Sequence, residues 1–231
     1  MKKKITATVL SQKEIAPRIF DMWIATDLAS SAKAGQFIGV YPKDRSTLLP
    51  RPISICQVND KKDALRIVYR IAGQGTAEFS SYQEGDGVEI LGTLGNGFPT
   101  EAAESKKVFL MGGGIGIPPM LELARELPAS TEKQIIVGYR DDQLFLKEDL
   151  EKNGTVYIAT EDGSVGTKGN VMNAIEENHL QADVIFACGP MPMLRAIGSP
   201  TSFRLPRKRS WSAAYRIRNC SYGPAPRAAR R

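Results

Sequence analysis

Four glycines within five positions follow a short apolar run near the middle of the chain. The run covers residues 108–111, and the glycines after it are Gly112, Gly113, Gly114 and Gly116. Pro118 and Pro119 come next and suit a first helical turn, where an N–H group has no intrahelical partner. Glycines let a backbone approach a ligand closely, and a helix N-terminus attracts phosphate. This order predicts a strand, a tight turn and a helix that bind a phosphate group; an ordinary buried strand with a flexible turn is the alternative.

Two further segments carry residues that suit a nucleotide cofactor. Arg51 to Ser54 reads Arg-Pro-Ile-Ser, in which the guanidinium can pair with a pyrophosphate and the hydroxyl with a heterocycle. In isolation we favour the simpler interpretation of this segment as a proline-led edge strand. Val68 to Thr76 adds a second arginine, an aromatic residue and another glycine turn. In combination with the glycines at 112–116, these segments favour a cofactor site.

The elements that must position these residues change in character near residue 100. Residues 5–98 contain short β-branched and aromatic runs separated by Gly, Pro, Asp and Lys, which predicts an antiparallel barrel. Its strands are predicted at 5–10, 18–25, 37–41, 53–58, 64–69 and 87–91, with one helix at 76–82. From Lys106 onward, strand-like runs alternate with helix-like stretches, which predicts a parallel sheet covered by helices. The strands are predicted at 108–111, 134–139, 156–160 and 184–188, and the helices at 118–127, 143–151, 170–178 and 191–197.

Charge and cysteine content separate the C-terminal segment from the rest. The chain has 231 residues and a net charge of +6, but residues 199–231 contain eight arginines, one lysine and no acid. The remaining 198 residues therefore carry −3, the difference between +6 and the +9 of this tail. The tail lacks apolar periodicity, so we predict that it is disordered. Cys56, Cys188 and Cys220 are far apart, and no long apolar run or signal peptide is visible, so we expect a reducing, cytoplasmic setting without a membrane span.

The motifs together resemble the ferredoxin-reductase family of flavoproteins. The resemblance implies a β plus α/β fold: an antiparallel FAD-binding barrel at residues 1–100, then a Rossmann-like NAD-binding domain at 101–198. It implies that FAD is bound by Arg51, Pro52, Ile53, Ser54, Val68, Tyr69, Arg70, Gly75 and Thr76. It implies that NAD is bound by Gly112, Gly113, Gly114, Gly116, Cys188, Gly189 and Pro190. No residue is assigned as a catalytic acid or base or as a metal ligand: His179 is expected to be solvated, and Asp141 with Asp142 is interpreted as a helix cap.

At finer detail the chain resembles one subfamily, the electron-transfer subunits of NAD-dependent (type B) dihydroorotate dehydrogenase. The segments that carry this resemblance are 34–37, 94–98, 112–119, 160–164 and 166–169. It implies that electrons leave FMN on a catalytic partner subunit, cross a [2Fe–2S] cluster to FAD and reach NAD⁺ as hydride, in pyrimidine biosynthesis. The assembly implied is a heterotetramer of two and two subunits.

The C-terminal segment departs from that subfamily. A [2Fe–2S] cluster needs four ligands, and the subfamily has four closely spaced cysteines near its C-terminus. This chain has only Cys220 there, because Cys56 and Cys188 belong to the flavin strand and the nicotinamide site. The iron–sulfur segment is therefore missing or replaced, and we hypothesise that residues 199–231 are a frameshifted translation.

Three alternatives stay open from the sequence. The first is a stand-alone NAD(P)H flavin reductase or diaphorase, which the missing cysteines favour. The second is a truncated, non-functional form. The third is nucleic-acid binding through the basic tail, which we do not favour because it leaves the cofactor motifs unexplained. NAD and NADP are not distinguished by the sequence.

Overall fold

A closed barrel and a parallel sheet form the two halves of the fold. The computed structural model describes residues 4–44 and 49–198, so the predicted tail at 199–231, with Cys220, lies outside the described residues. The barrel strands are β1 (Lys4–Ala16), β2 (Ile19–Ala25), β3 (Phe37–Tyr41), β4 (Arg51–Val58), β5 (Ala64–Arg70) and β6 (Gly87–Leu94). They close antiparallel in the order β1-β2-β5-β4-β3-β6, with one short helix, α1 (Gln74–Phe79), after β5. The predicted antiparallel barrel is confirmed.

The second half alternates strands and helices as predicted. Its strands are β7 (Lys107–Gly113), β8 (Glu132–Tyr139), β9 (Thr155–Thr160), β10 (Thr167–Lys168) and β11 (Val184–Cys188), parallel in the order β10-β9-β8-β7-β11. Its helices are α2 (Pro118–Glu126), α3 (Lys147–Glu151), α4 (Val171–Glu177) and α5 (Met191–Ile197). The predicted α/β class is therefore confirmed, whereas the boundaries of the two domains stay predictions. Among the described residues, none of the helices has the length and apolar character needed to cross a membrane.

Several predicted element boundaries are wrong. β1 runs on to Ala16 because its polar second half pairs with β2 in a hairpin, which an apolar pattern does not reveal. Helix α1 covers Gln74–Phe79, so both its start and its end come earlier than in the predicted range of 76–82. The predicted helix at 143–151 begins only at Lys147, because Leu146 adopts a left-handed conformation with φ of 65°.

The interpretation of Asp141 and Asp142 as a helix cap is also wrong. Asp141 Oδ1 accepts the N–H of Gln143 at 3.1 Å, which closes a turn several residues before α3.

Helix α2 joins the two halves through a shared core. One buried apolar cluster includes Cys56 and Val68 of the barrel together with Ile117 and Leu121 at the start of α2. At its polar edge, the buried Glu122 side chain accepts the Val58 N–H at 3.0 Å. The barrel and the parallel sheet are consequently held as one packed unit at this helix.

A buried ion pair provides a second connection between the halves. The Arg66 guanidinium donates to both carboxylate oxygens of Asp21, with Nε to Oδ1 at 2.9 Å and Nη2 to Oδ2 at 2.8 Å. Its Nη1 also donates to Asp149 Oδ2 of α3 at 2.7 Å. One arginine of β5 is thus bonded both within the barrel and to the second half.

Candidate cofactor site

A cavity between the start of β4 and the end of β5 brings most of the predicted FAD residues together. The two strands are antiparallel neighbours in the barrel. The cavity is lined by Pro52, Ile53, Ser54, Val68, Tyr69, Arg70, Ala72 and Ile115. Its wall is largely apolar, with Ser54 and Arg70 as its polar members, which is the composition expected of a site for a planar ring with a polar edge.

The three other predicted FAD residues lie at the starts of two elements: Arg51 begins β4, and Gly75 and Thr76 belong to the first turn of α1. A Cβ atom on Gly75 would be 2.9 Å from Arg51 Nε and 3.0 Å from Pro42 Cγ, so glycine allows the Arg51 side chain to approach closely in its present position. Arg51 Nη1 donates to the Leu49 carbonyl at 2.6 Å. The buried Thr76 hydroxyl accepts the N–H groups of Ala72 and Gly73 at 2.9 and 3.1 Å. Thr76 therefore holds the turn, and the positive charge beside it comes from Arg51.

Two neighbouring residues of β5 take different positions. The Tyr69 ring is buried in the barrel and stacks on Phe20 with centroids 5.8 Å apart, and its hydroxyl donates to Gln12 Oε1 at 2.8 Å. Burial raises the pKa of this phenol. Arg70 is exposed, and its side chain makes no hydrogen bond or ion pair with any residue in the described ranges. Arg70 is available to a ligand, whereas the Tyr69 ring belongs to the core.

The glycine-rich turn lies where the strand order of the parallel sheet reverses. β7 ends at Gly113, a 3₁₀ turn covers Gly114–Gly116, and α2 starts at Pro118. β7 has β8 on one side and β11 on the other, and Gly112 is in register with Cys188. In open α/β sheets, ligands bind outside the carboxyl ends of the strands at such a switch point.

Close packing explains the glycines of this turn. A Cβ atom on Gly116 would collide with the Cys188 carbonyl oxygen. A Cβ atom on Gly113 would lie 2.7 Å from Met193 Sδ, and the same thioether lies 3.0 Å from the Cβ position of Gly189. Gly114 has a φ of 52° and open space where its Cβ would be. The predicted NAD residues are therefore in contact with one another, and Gly114 is the member that faces open space.

The first turn of α2 offers fewer N–H groups to a phosphate than the sequence suggested. Pro118 and Pro119 have no N–H group, and the Ile117 N–H donates to the Gly114 carbonyl at 3.1 Å. Amides that bind a phosphate here would have to come from the loop before Ile117, while the helix dipole still favours an anion.

Two further predicted NAD residues complete this edge of the sheet: Cys188 is buried, and Pro190 precedes α5. Elsewhere, His179 is exposed just beyond Asn178, the residue that caps α4, as predicted. Within the described part of the chain, His, Cys, Asp and Glu side chains form no group of three or more that could hold a metal ion.

Sequence reasoning missed Ile115, Ala72 and Met193 as candidate site residues. Ile115 lies inside the glycine motif and lines the cavity of the barrel. Met193 packs on the glycines of both predicted NAD segments. An apolar side chain between glycines gives no chemical signal, so only the fold identifies these residues.

Comparison with known proteins places this chain in a family. No family model matches the sequence. The chain is 41% identical to the electron transfer subunit of dihydroorotate dehydrogenase B (NAD(+)) from Streptococcus mutans serotype c, over 84% of this chain and 76% of the relative.

Solved structures agree on the fold. An NADH-dependent reduced ferredoxin–NADP oxidoreductase superposes with a TM-score of 0.73 at 26% identity, over 82% of this chain and 69% of that one. A ferredoxin NADP⁺ reductase from Neisseria gonorrhoeae has a TM-score of 0.69 at 20% identity, covering 84% and 88%. With the relative's identity and coverage, the chain belongs to the family of electron transfer subunits of dihydroorotate dehydrogenase B (NAD(+)).

Proposed function

We propose that this chain is a flavoprotein subunit that binds FAD and NAD at adjoining sites and delivers electrons to NAD⁺. The observation that carries the proposal is the cavity itself, whose wall combines Ser54 and Arg70 of the barrel with Ile115 of the glycine turn. A ring bound in this cavity would be adjacent to a nucleotide bound on that turn. Hydride transfer requires such adjacency, because it proceeds only when the reacting atoms are in near contact.

The residues around the barrel cavity suit FAD. Ile53 and Val68 give an apolar wall for the ring, and the Ser54 hydroxyl suits a heteroatom at its edge. Arg51 and Arg70 supply positive charge for the pyrophosphate, and Gly75 leaves the space that the Arg51 side chain occupies. When bound, FAD exchanges single electrons or a hydride, and the chain's part is to hold and orient it.

The second site suits a nicotinamide dinucleotide. Gly114 leaves open space at the carboxyl edge of the sheet, where a pyrophosphate can approach the backbone. Gly189 and Pro190 turn the chain beside it, after Cys188. The name of the S. mutans relative includes NAD(+), which supports NAD as the acceptor.

The same name supports a partner protein, since the relative is an electron transfer subunit of a dehydrogenase. We infer a catalytic, FMN-containing dihydroorotate dehydrogenase subunit, assembled two and two with this chain in the cytoplasm.

The cysteines of this chain do not fit a [2Fe–2S] cluster. The whole sequence contains three, and two of them are buried, Cys56 in the core that the two halves share and Cys188 at the end of β11. A cluster with four thiolate ligands cannot be built from these. We therefore derive no electron-transfer step through a cluster.

The test is to purify the full chain, add FAD and measure flavin absorbance and NADH oxidation with ferricyanide. We expect bound flavin and turnover, and we expect Arg51→Ala and Arg70→Ala to weaken FAD binding at least ten-fold. Lys13→Ala is the matched control, because it removes an exposed positive charge of β1 that does not line the cavity. A colourless, inactive wild-type chain would refute the proposal.

The three-cysteine count favours one second candidate, a stand-alone NAD(P)H flavin reductase or diaphorase. Co-expression with a catalytic dihydroorotate dehydrogenase subunit separates the two functions. Stable co-purification and NAD⁺ reduction driven by dihydroorotate support the subunit, whereas turnover with artificial acceptors alone supports the reductase.

A further inference from the structure

Ile115 is the only residue between Gly112 and Gly116 that is not glycine, and it lines the cavity between β4 and β5. The other residues that line this cavity all belong to the barrel half. Ile115 is partly buried and packs at the edge of the core that the two halves share. A residue of the predicted NAD turn therefore forms part of the wall of the predicted FAD site.

The direction of this side chain is set by its neighbours. Gly116 is pressed against the Cys188 carbonyl, and Gly112 would place a Cβ atom 2.9 Å from the Ile117 Cα. The backbone on both sides of Ile115 is consequently held in place by β11 and by the start of α2. The side chain projects from a fixed turn toward β5, which the 3₁₀ turn contacts.

We propose that Ile115 is a positioning residue that fixes the flavin ring at its contact with the nicotinamide. This inference rests on the proposed function, since it assigns Ile115 to the boundary between the two cofactor sites. An apolar, branched side chain suits the role because its χ1 angle is restricted and it has no polar group to compete with the ring. Small displacements at a reacting centre reduce rates strongly, by about a hundred-fold for 1 Å.

The alternative is that Ile115 only packs against the shared core. Removing it would then lower stability without a specific effect on the electron-transfer step. Val156 allows this to be tested, because it is also partly buried against the same cluster but lies at the start of β9 and does not line the cavity. Val156→Ala therefore removes comparable packing away from the cofactors.

The experiment compares the full chain with Ile115→Ala, Ile115→Val and Val156→Ala, each loaded with FAD. Three quantities are measured: the rate of flavin reduction at saturating NADH, the Kd of ADP-ribose, and the fluorescence anisotropy of the bound flavin. ADP-ribose contains the pyrophosphate but no nicotinamide, so it reports whether the glycine turn is intact.

For Ile115→Ala we expect at least ten-fold slower flavin reduction and lower anisotropy, with the Kd of ADP-ribose within two-fold of wild type. Ile115→Val should restore most of the rate, and Val156→Ala should change none of the three quantities. The proposal would be overturned if flavin in Ile115→Ala were reduced at the wild-type rate, or if Val156→Ala slowed flavin reduction equally. A wild-type chain that reduces no flavin would instead refute the proposed function itself.

Discussion

Replacing Arg66 by methionine tests how strongly the buried ion pair supports the fold. The Asp21 side chain is 3% exposed and that of Arg66 10% exposed, and the two bonds between them are 2.9 and 2.8 Å. Arg66→Met leaves the Asp21 carboxylate buried without its partner. Breaking a buried pair in this way costs about 3–5 kcal/mol, a large part of the roughly 5–15 kcal/mol that stabilises a typical domain.

Arg125→Met is the matched control, because Arg125 pairs with Asp60 at a similar distance of 2.8 Å but Asp60 is 93% exposed. The second contact of Arg125, with the buried Glu122, is longer at 3.9 Å. Exposed pairs contribute at most about 1 kcal/mol. We also expect the double variant Arg66→Met/Asp21→Asn to recover part of the lost unfolding free energy. It removes the buried charge that the single variant leaves without a partner.

The assay is urea unfolding at pH 7 followed by circular dichroism, with unfolding free energies obtained by linear extrapolation. The reasoning about the buried pair would be wrong if Arg66→Met lowered the unfolding free energy no more than Arg125→Met. It would also be wrong if neutralising Asp21 recovered none of that free energy.

Three other substitutions test separate parts of the structure. Gly116→Ala should reduce NADH turnover at least ten-fold, because the added Cβ collides with the Cys188 carbonyl; unchanged kinetics would contradict the packing described for the turn. His179 has a φ of 51° just after α4, where the Leu180 N–H donates to the Ile175 carbonyl at 3.0 Å. A left-handed conformation costs a non-glycine residue about 1–2 kcal/mol, and the entropy that glycine loses on folding offsets part of this gain. His179→Gly should therefore raise the unfolding free energy by about 0.5–1 kcal/mol, and a decrease in urea titration would refute this. Burial raises the pKa of Glu122, so its contribution to stability is most favourable below its unfolded pKa and declines as the pH rises through the folded value. Glu122→Gln should therefore be more stable relative to wild type at pH 7 than at pH 4, as measured by urea midpoints, and an opposite trend would exclude a cost of charge burial.

The sequence predicted the architecture because local patterns determine it. Short alternating runs separated by turn residues indicated the barrel, and the four glycines before two prolines indicated the turn at the end of β7. Tyr69 shows the limit of this reasoning, because the motif does not reveal that its ring packs on Phe20 in the core while the residue also lines the cavity. Leu146 shows another limit, since tertiary packing holds a leucine in a left-handed conformation that its residue type disfavours.

The position of Ile115 could not be predicted for a different reason. Its direction depends on the contact between Gly116 and Cys188, which are 72 positions apart in the sequence. No local pattern encodes which strand will lie against a turn. The residues predicted to bind a cofactor were identified from their chemical types, whereas the residues that position them depend on long-range packing.

The core that α2 shares with the barrel has a thermodynamic consequence. Since Cys56 and Val68 pack in the same cluster as Ile117 and Leu121, unfolding of either half exposes apolar surface of the other. We therefore expect the two halves to unfold as one cooperative unit, and a ligand that binds only the native state to stabilise that whole unit. ADP-ribose on the glycine turn would thus protect amides of the barrel from hydrogen exchange, and flavin in the barrel would protect the parallel sheet.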